Sequence, residues 1–139
     1  MHLADTSAWW VSRRPDARPT REAFDEIVRR SNLLICDVVR FELLYSARNA
    51  DELNMTAGRL AALPDVEIAK GQWSRALSVY RRLARQGGAH HRSVGYPDLL
   101  IAAAAESVGA TLLHYDEDFD RIAAITGQPT RWIAPRGSI

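Results

Sequence analysis

Along this chain the hydrophobic pattern alternates between short apolar runs and longer stretches with apolar residues at helical spacing. The short runs predict five strands: His2-Leu3-Ala4, Leu33 to Cys36, Val66-Glu67-Ile68, Thr111 to His114 and Thr130 to Ile133. Between them the spacing predicts helices over 7–13, from Pro19-Thr20 onward, and over 38–47, 51–62, 71–85, 98–108 and 117–126. Asp37 is placed to cap the helix over 38–47. Trp73, Leu77, Tyr80 and Leu83/Ala84 form the predicted apolar stripe of the long helix, and His90-His91-Arg92-Ser93 a polar loop after it. Strands alternating with helices imply right-handed crossovers and a parallel sheet covered on both faces. With no internal repeat and no linker, the 139 residues read as one α/β domain.

Composition narrows the class. One cysteine, Cys36, gives neither a disulfide framework nor a thiolate zinc site, which fits a reducing cytoplasm. The adjacent His90 and His91 cannot easily share one tetrahedral zinc. The longest apolar run, Leu99 to Ala105, is too short to cross a bilayer, and the N-terminus lacks a signal-peptide pattern. Net charge is +1, so bulk charge does not point to nucleic acid. Lys70 is the only lysine among 18 basic residues. Arginine forks onto phosphates, but a high-GC genome produces the same bias.

The chemistry lies in the acids. Asp5 ends the first strand and Asp116 follows the fourth, with Asp118 two residues on. In an open α/β sheet the crevice beyond the strand carboxyl ends is where ligands bind. Asp98 opens the helix leading into the fourth strand, and Glu42 sits on a helix whose neighbours are nearly all apolar. Each has a structural reading as well. The aspartates are suited to capping the helices they precede, and Glu42 could pair with Arg40 or Arg75. If strands one and four are adjacent, however, the acids meet at one rim, where they repel strongly and raise one another's pKa. A divalent cation removes that cost. Magnesium suits such a set and supports attack of water on a phosphodiester.

Four segments then carry a resemblance: Asp5-Thr6-Ser7-Ala8-Trp9, Val38 to Leu44, Pro97 to Ala103 and His114 to Phe119. In order and spacing the chain resembles the VapC toxins, PIN-domain ribonucleases of bacterial toxin–antitoxin pairs, over essentially its whole length. The resemblance implies a five-stranded parallel sheet of order 3-2-1-4-5 between helices. It implies Asp5, Glu42, Asp98 and Asp116 as catalytic metal ligands, Asp118 as an auxiliary acid, and Ser7 or Thr6 as the small polar helper. His114 departs from it, since many relatives carry threonine or serine there, and so does Gly95, where similar toxins often carry a basic residue. Also implied are Mg2+ (or Mn2+) dependence, cleavage of structured RNA such as a transfer RNA or a ribosomal loop, a homodimer, and inhibition by a VapB-like antitoxin whose C-terminal segment occupies the acidic groove. Water attack in line on phosphorus would leave a 5′-phosphate and a 3′-hydroxyl.

Other signals are secondary. Arg13, Arg14 and Arg18 bracket the first inter-helix turn and could steer phosphates, as could His91 and Arg92 ahead of Asp98; an ordinary charged surface is the alternative. Of Trp9 and Trp10, one is expected in the core and the other on a partner surface. Two other functions remain open: a degenerate PIN domain that binds RNA without cutting it, and a phosphoacceptor domain. The second would need a lysine late in the chain, and Lys70 is the only one.

Overall fold

The strands β1 (His2–Ala4), β2 (Leu33–Cys36), β3 (Asp65–Val66), β4 (Thr111–His114) and β5 (Thr130–Trp132) form one parallel sheet of order β3-β2-β1-β4-β5. The structure is a computed structural model that describes residues 1–30, 32–88 and 90–139; the side chain of His90 lies outside the described residues. Among the described residues eight helices complete it: α1 (Thr6–Ser12), α2 (Arg18–Arg29), α3 (Asp37–Tyr45), α4 (Ala50–Leu60), α5 (Lys70–Arg85), α6 (His90–Ser93), α7 (Tyr96–Ser107) and α8 (Asp118–Thr126). Strands this short and this apolar are stable only when both faces are covered. Leu3, Leu33, Ile35, Leu112 and Leu113 are accordingly all buried between the helical layers.

The central pairing decides where the acids go. β1 lies directly against β4 in the register Leu3↔Leu112 and Ala4↔Leu113, and the Asp5 N–H donates to the Leu113 carbonyl at 3.0 Å. The residues after β1 and β4 therefore leave the sheet side by side. From the outer side, α7 brings in Asp98 on a helix whose stretch from Leu99 to Ala105 is wholly buried.

Several local expectations are corrected. Cys36, not Asp37, is the N-cap position of α3; Asp37 lies inside the first turn, exposed, and pairs with Arg40. The third strand is shorter than Val66 to Ile68 and begins at Asp65. The expected loop at 90–93 is a short helical turn. The predicted stripe of α5 holds only in part: Leu83 is buried and Tyr80 packs half-buried on the core, but Ala76 and Val79 are buried in place of Trp73 and Leu77, which are about half exposed. The reason is its partner. α5 packs on α7, which is rich in alanine, and small residues on the facing side let the two helices come close. The bulkiest side chains of α5 are thereby left outside.

Candidate active site

Asp5, a candidate site residue, is also the N-cap of α1. Its carboxylate accepts the Ser7 N–H at 3.1 Å, the Ala8 N–H at 3.0 Å and the Ser7 hydroxyl at 2.8 Å, which fixes the start of α1. Ser7 Oγ in turn accepts the Tyr115 N–H at 2.8 Å, tying the end of β1 to the chain leaving β4. Thr6 serves a different acid, donating to Glu42 Oε1 at 2.8 Å across 36 residues. The two hydroxyls at 6 and 7 thus hold two separate carboxylates.

The alternative salt bridges of Glu42 are not made among the described residues: Arg40 pairs with Asp37 and Asp65, and Arg75 forks onto Glu106. Asp98 is in the first turn of α7, and Gly95, not Asp98, is its N-cap residue. Asp116 does carry a capping interaction: its Oδ1 accepts the Asp118 N–H at 2.9 Å. That bond turns the chain so that the Asp118 carboxylate also faces the site. Among the described residues, Asp98, Asp116 and Asp118 each offer an oxygen within 4.8 Å of the others. Asp118, expected only as an auxiliary, therefore belongs to the tightest cluster.

The electrostatics bind the remaining acids to this cluster. Burial, and then the charges of Asp116, Asp5, Asp118 and Glu42, push Asp98 up to about 7. Burial also raises Asp5 to about 6, against the lowering effect of its hydrogen bonds from Ala8 and Ser7. The charges of the other four acids therefore all act on Asp98. Oxygen-only donors converging in this way fit a hard divalent cation.

Arg121 on α8 was not anticipated. It pairs with Asp118 and with Glu117, and it reaches Ser93 Oγ at 3.3 Å. The i,i+3 and i,i+4 spacings were legible, but not that one of the two acids faces the cluster. Arg13 and Arg14 are engaged elsewhere. Arg14 forks onto Asp16, and Arg13 lies over the rings of Trp9 and Phe24 in a cleft between α1, α2 and α4. Trp9 is buried, as expected of one of the pair, and Trp10 opens into that same cleft. His91 packs edge-on against Tyr80, while Arg92 is exposed on the same groove as Lys70, Trp73 and Tyr96.

The PIN-domain family model matches residues 3–125, spanning every acid of the cluster. The chain belongs to the PIN-domain family, among its VapC ribonucleases. Ribonuclease VapC18 of Mycobacterium tuberculosis is 47% identical over 136 residues, covering 97% of this chain and 96% of the relative. Ribonuclease VapC51 of the same organism is 39% identical over 138 residues, covering 99% and 96%. Among solved structures, DNA-bound VapBC from Salmonella typhimurium shares the fold with a TM-score of 0.73 at 22% identity, covering 96% of this chain and 98% of that one. VapBC2 from Rickettsia felis gives 0.72 at 17%, covering 94% and 97%. This PIN domain is a ribonuclease, which removes the phosphoacceptor alternative. No helix among its described residues is long and apolar enough to cross a membrane.

Proposed function

We propose that this ribonuclease is the cytoplasmic toxin of a toxin–antitoxin pair, an Mg2+- or Mn2+-dependent endonuclease acting on structured RNA such as transfer or ribosomal RNA. The observation that carries the reading is the cluster at Asp98, with three carboxylates within 4.8 Å and two further acids acting on it. Asp5, Asp98 and Asp116 would hold the cation, with Glu42 reaching it directly or through water and Asp118 supporting. The cation, when bound, supplies activation of water and screening of charge at phosphorus. The residues of the chain do the positioning. Ser7 and the α1 backbone orient Asp5, Thr6 orients Glu42, and the Asp118 N–H orients Asp116. His91 and Arg92 would contact the RNA backbone beside Asp98, and Arg13 and Arg14 would lie further from the cut.

The apolar surfaces fit two protein partners. The cleft between α1, α2 and α4, with Trp10, Val28, Leu43, Leu60 and Leu63, offers about 530 Å3 for an antitoxin segment that continues into the acidic groove. Phe41, Tyr45, Trp73, Leu77 and Tyr96 form a second exposed group on α3, α5 and the start of α7, with Phe41 stacked on Tyr45 and Trp73 on Tyr96. Aromatic enrichment of this kind characterises interface cores, and we assign this face to the homodimer. Leu77→Glu combined with Trp73→Glu should yield a monomer in sedimentation at micromolar concentration while the circular dichroism spectrum is retained. A dimer persisting in the double variant removes this face from the interface.

The activity itself is tested by mapping RNA 5′ ends after brief expression of the wild-type chain and of Asp5→Asn. Discrete new ends carrying 5′-phosphate, absent with Asp5→Asn, abolished in vitro by EDTA and suppressed by the cognate antitoxin, are expected. Cleavage undiminished in EDTA would overturn the metal assignment. A wild type that binds RNA without cutting it would establish the degenerate alternative.

A further inference from the structure

His114 closes β4 two residues before Asp116, and its side chain is wholly buried. Phe119 and Trp132 pack on its ring with centroids 5.4 and 5.0 Å away. Its Nδ1 accepts the backbone N–H of Asp116 at 3.3 Å. A nitrogen that accepts a hydrogen bond carries no proton, so in the neutral ring the proton is on Nε2. That Nε2 has no hydrogen-bond partner among the described residues, an arrangement that is unfavourable for a buried donor. The carboxylate of Asp120 faces it, with Oδ1 at 3.7 Å, longer than a hydrogen bond and short enough for direct electrostatic attraction. Asp120 is held in turn by the indole of Trp132, whose Nε1–H donates to Oδ2 at 3.0 Å and Oδ1 at 3.3 Å.

We propose that His114, as the Nε2–H tautomer backed by Asp120 and Trp132, is a positioning residue that sets the main chain at Asp116 and hence the aim of the Asp116 carboxylate. The inference rests on the reading of Asp116 as a metal ligand. The chain of contacts runs from β5 through α8 to the end of β4, so three separate elements fix one backbone amide. Trp132 both packs on the ring and holds Asp120, so the half-exposed Asp120 carboxylate is kept beside the proton-bearing Nε2. Nothing in this arrangement requires the ring to become charged, and burial favours its neutral form. Outer-shell contacts of this type commonly govern metal affinity by about 10–100-fold.

Two substitutions of similar size and polarity separate the parts. In His114→Asn the amide oxygen takes the place of Nδ1 and keeps the acceptor for the Asp116 N–H. In His114→Gln the longer amide reaches toward Asp120 and leaves that N–H without its acceptor. Titration calorimetry with Mn2+ on the full chain should give His114→Asn an affinity within about 3-fold of wild type and His114→Gln a loss of about 10-fold or more. Equal losses in both variants, at matched thermal stability, would overturn the proposal and leave His114 a packing residue. Should both variants unfold, long-range 1H–15N correlation spectra of the wild type decide. Without metal at pH 7.5, the Nε2–H tautomer is expected for His114, and an Nδ1–H tautomer or an imidazolium ring refutes the arrangement. If the wild-type chain binds no Mn2+, the metal reading fails by itself, and the tautomer measurement still tests the contact chain.

Discussion

Asp98→Asn is expected to abolish RNA cleavage, lowering the rate by about 10^3-fold or more, and at pH 8 to raise the melting temperature of the metal-free protein. The first effect follows from position. Asp98 is the acid on which Asp116, Asp5, Asp118 and Glu42 all act, so its loss would take a proposed metal donor out of the site. A metal's stabilisation of charge at phosphorus amounts to several kcal/mol, and about 4 kcal/mol corresponds to ~10^3-fold in rate. The second effect follows from repulsion. A half-buried carboxylate among four others opposes folding when it is charged, and an isosteric amide relieves that without a cavity. Glu22→Gln, which alters an exposed ion pair with Arg18, serves as the control and should change neither quantity appreciably. Single-turnover cleavage and thermal melts in EDTA measure both. A purely structural Asp98 predicts the reverse pattern, with activity kept in the surviving fraction and a lower melting temperature.

Between pH 8 and pH 5 the Mn2+ affinity should fall on the order of 10^3-fold, because the two proposed ligand acids must lose protons before a cation can bind. With Asp5 at about 6 and Asp98 at about 7, proton competition at pH 5 costs roughly 10-fold at the first and 100-fold at the second. The metal-free protein should run the opposite way. Both acids have folded-state pKa values raised above their unfolded values near 4, so the folded chain binds more protons than the unfolded one in between. Their contribution to stability is complete below about pH 4 and is lost as the pH rises through 6 and 7. Melting temperatures in EDTA are therefore higher at pH 5 than at pH 8 as far as these two groups decide. Saturating Mn2+ should reverse the order, since binding to the folded state alone stabilises it in proportion to the affinity. An affinity that is flat across this range would mean that neither acid is a ligand.

Some residues were legible before any coordinates. Glu42 stood out because an apolar helix offers a glutamate no ordinary reason to be there, and its expected cationic partners turned out to be engaged with other acids. Asp98 looked as much like a cap as a ligand, and the cap position belongs to Gly95. For Asp5 the alternatives were not exclusive: the same carboxylate caps α1 and faces Asp98. The α5 stripe was misread for a definite reason. Hydrophobic size ranks Trp73 and Leu77 above Ala76 and Val79, but close packing on an alanine-rich helix selects for small volume.

By itself, the sequence determined the alternation of strands and helices, and with it the parallel sheet, and it named the acids that the fold brings together. Those properties depend on the local period of apolar residues and on residue type, both of which are written along the chain. Tertiary structure alone decided that Asp118 joins Asp98 and Asp116 within 4.8 Å, that Thr6 serves Glu42 while Ser7 serves Asp5, and that Asp120 and Trp132 stand behind His114. Each of these depends on the β1–β4 register or on how helices rotate as they pack. Contacts between residues far apart in the chain are set by such rigid placements to a fraction of an ångström, which no periodicity encodes.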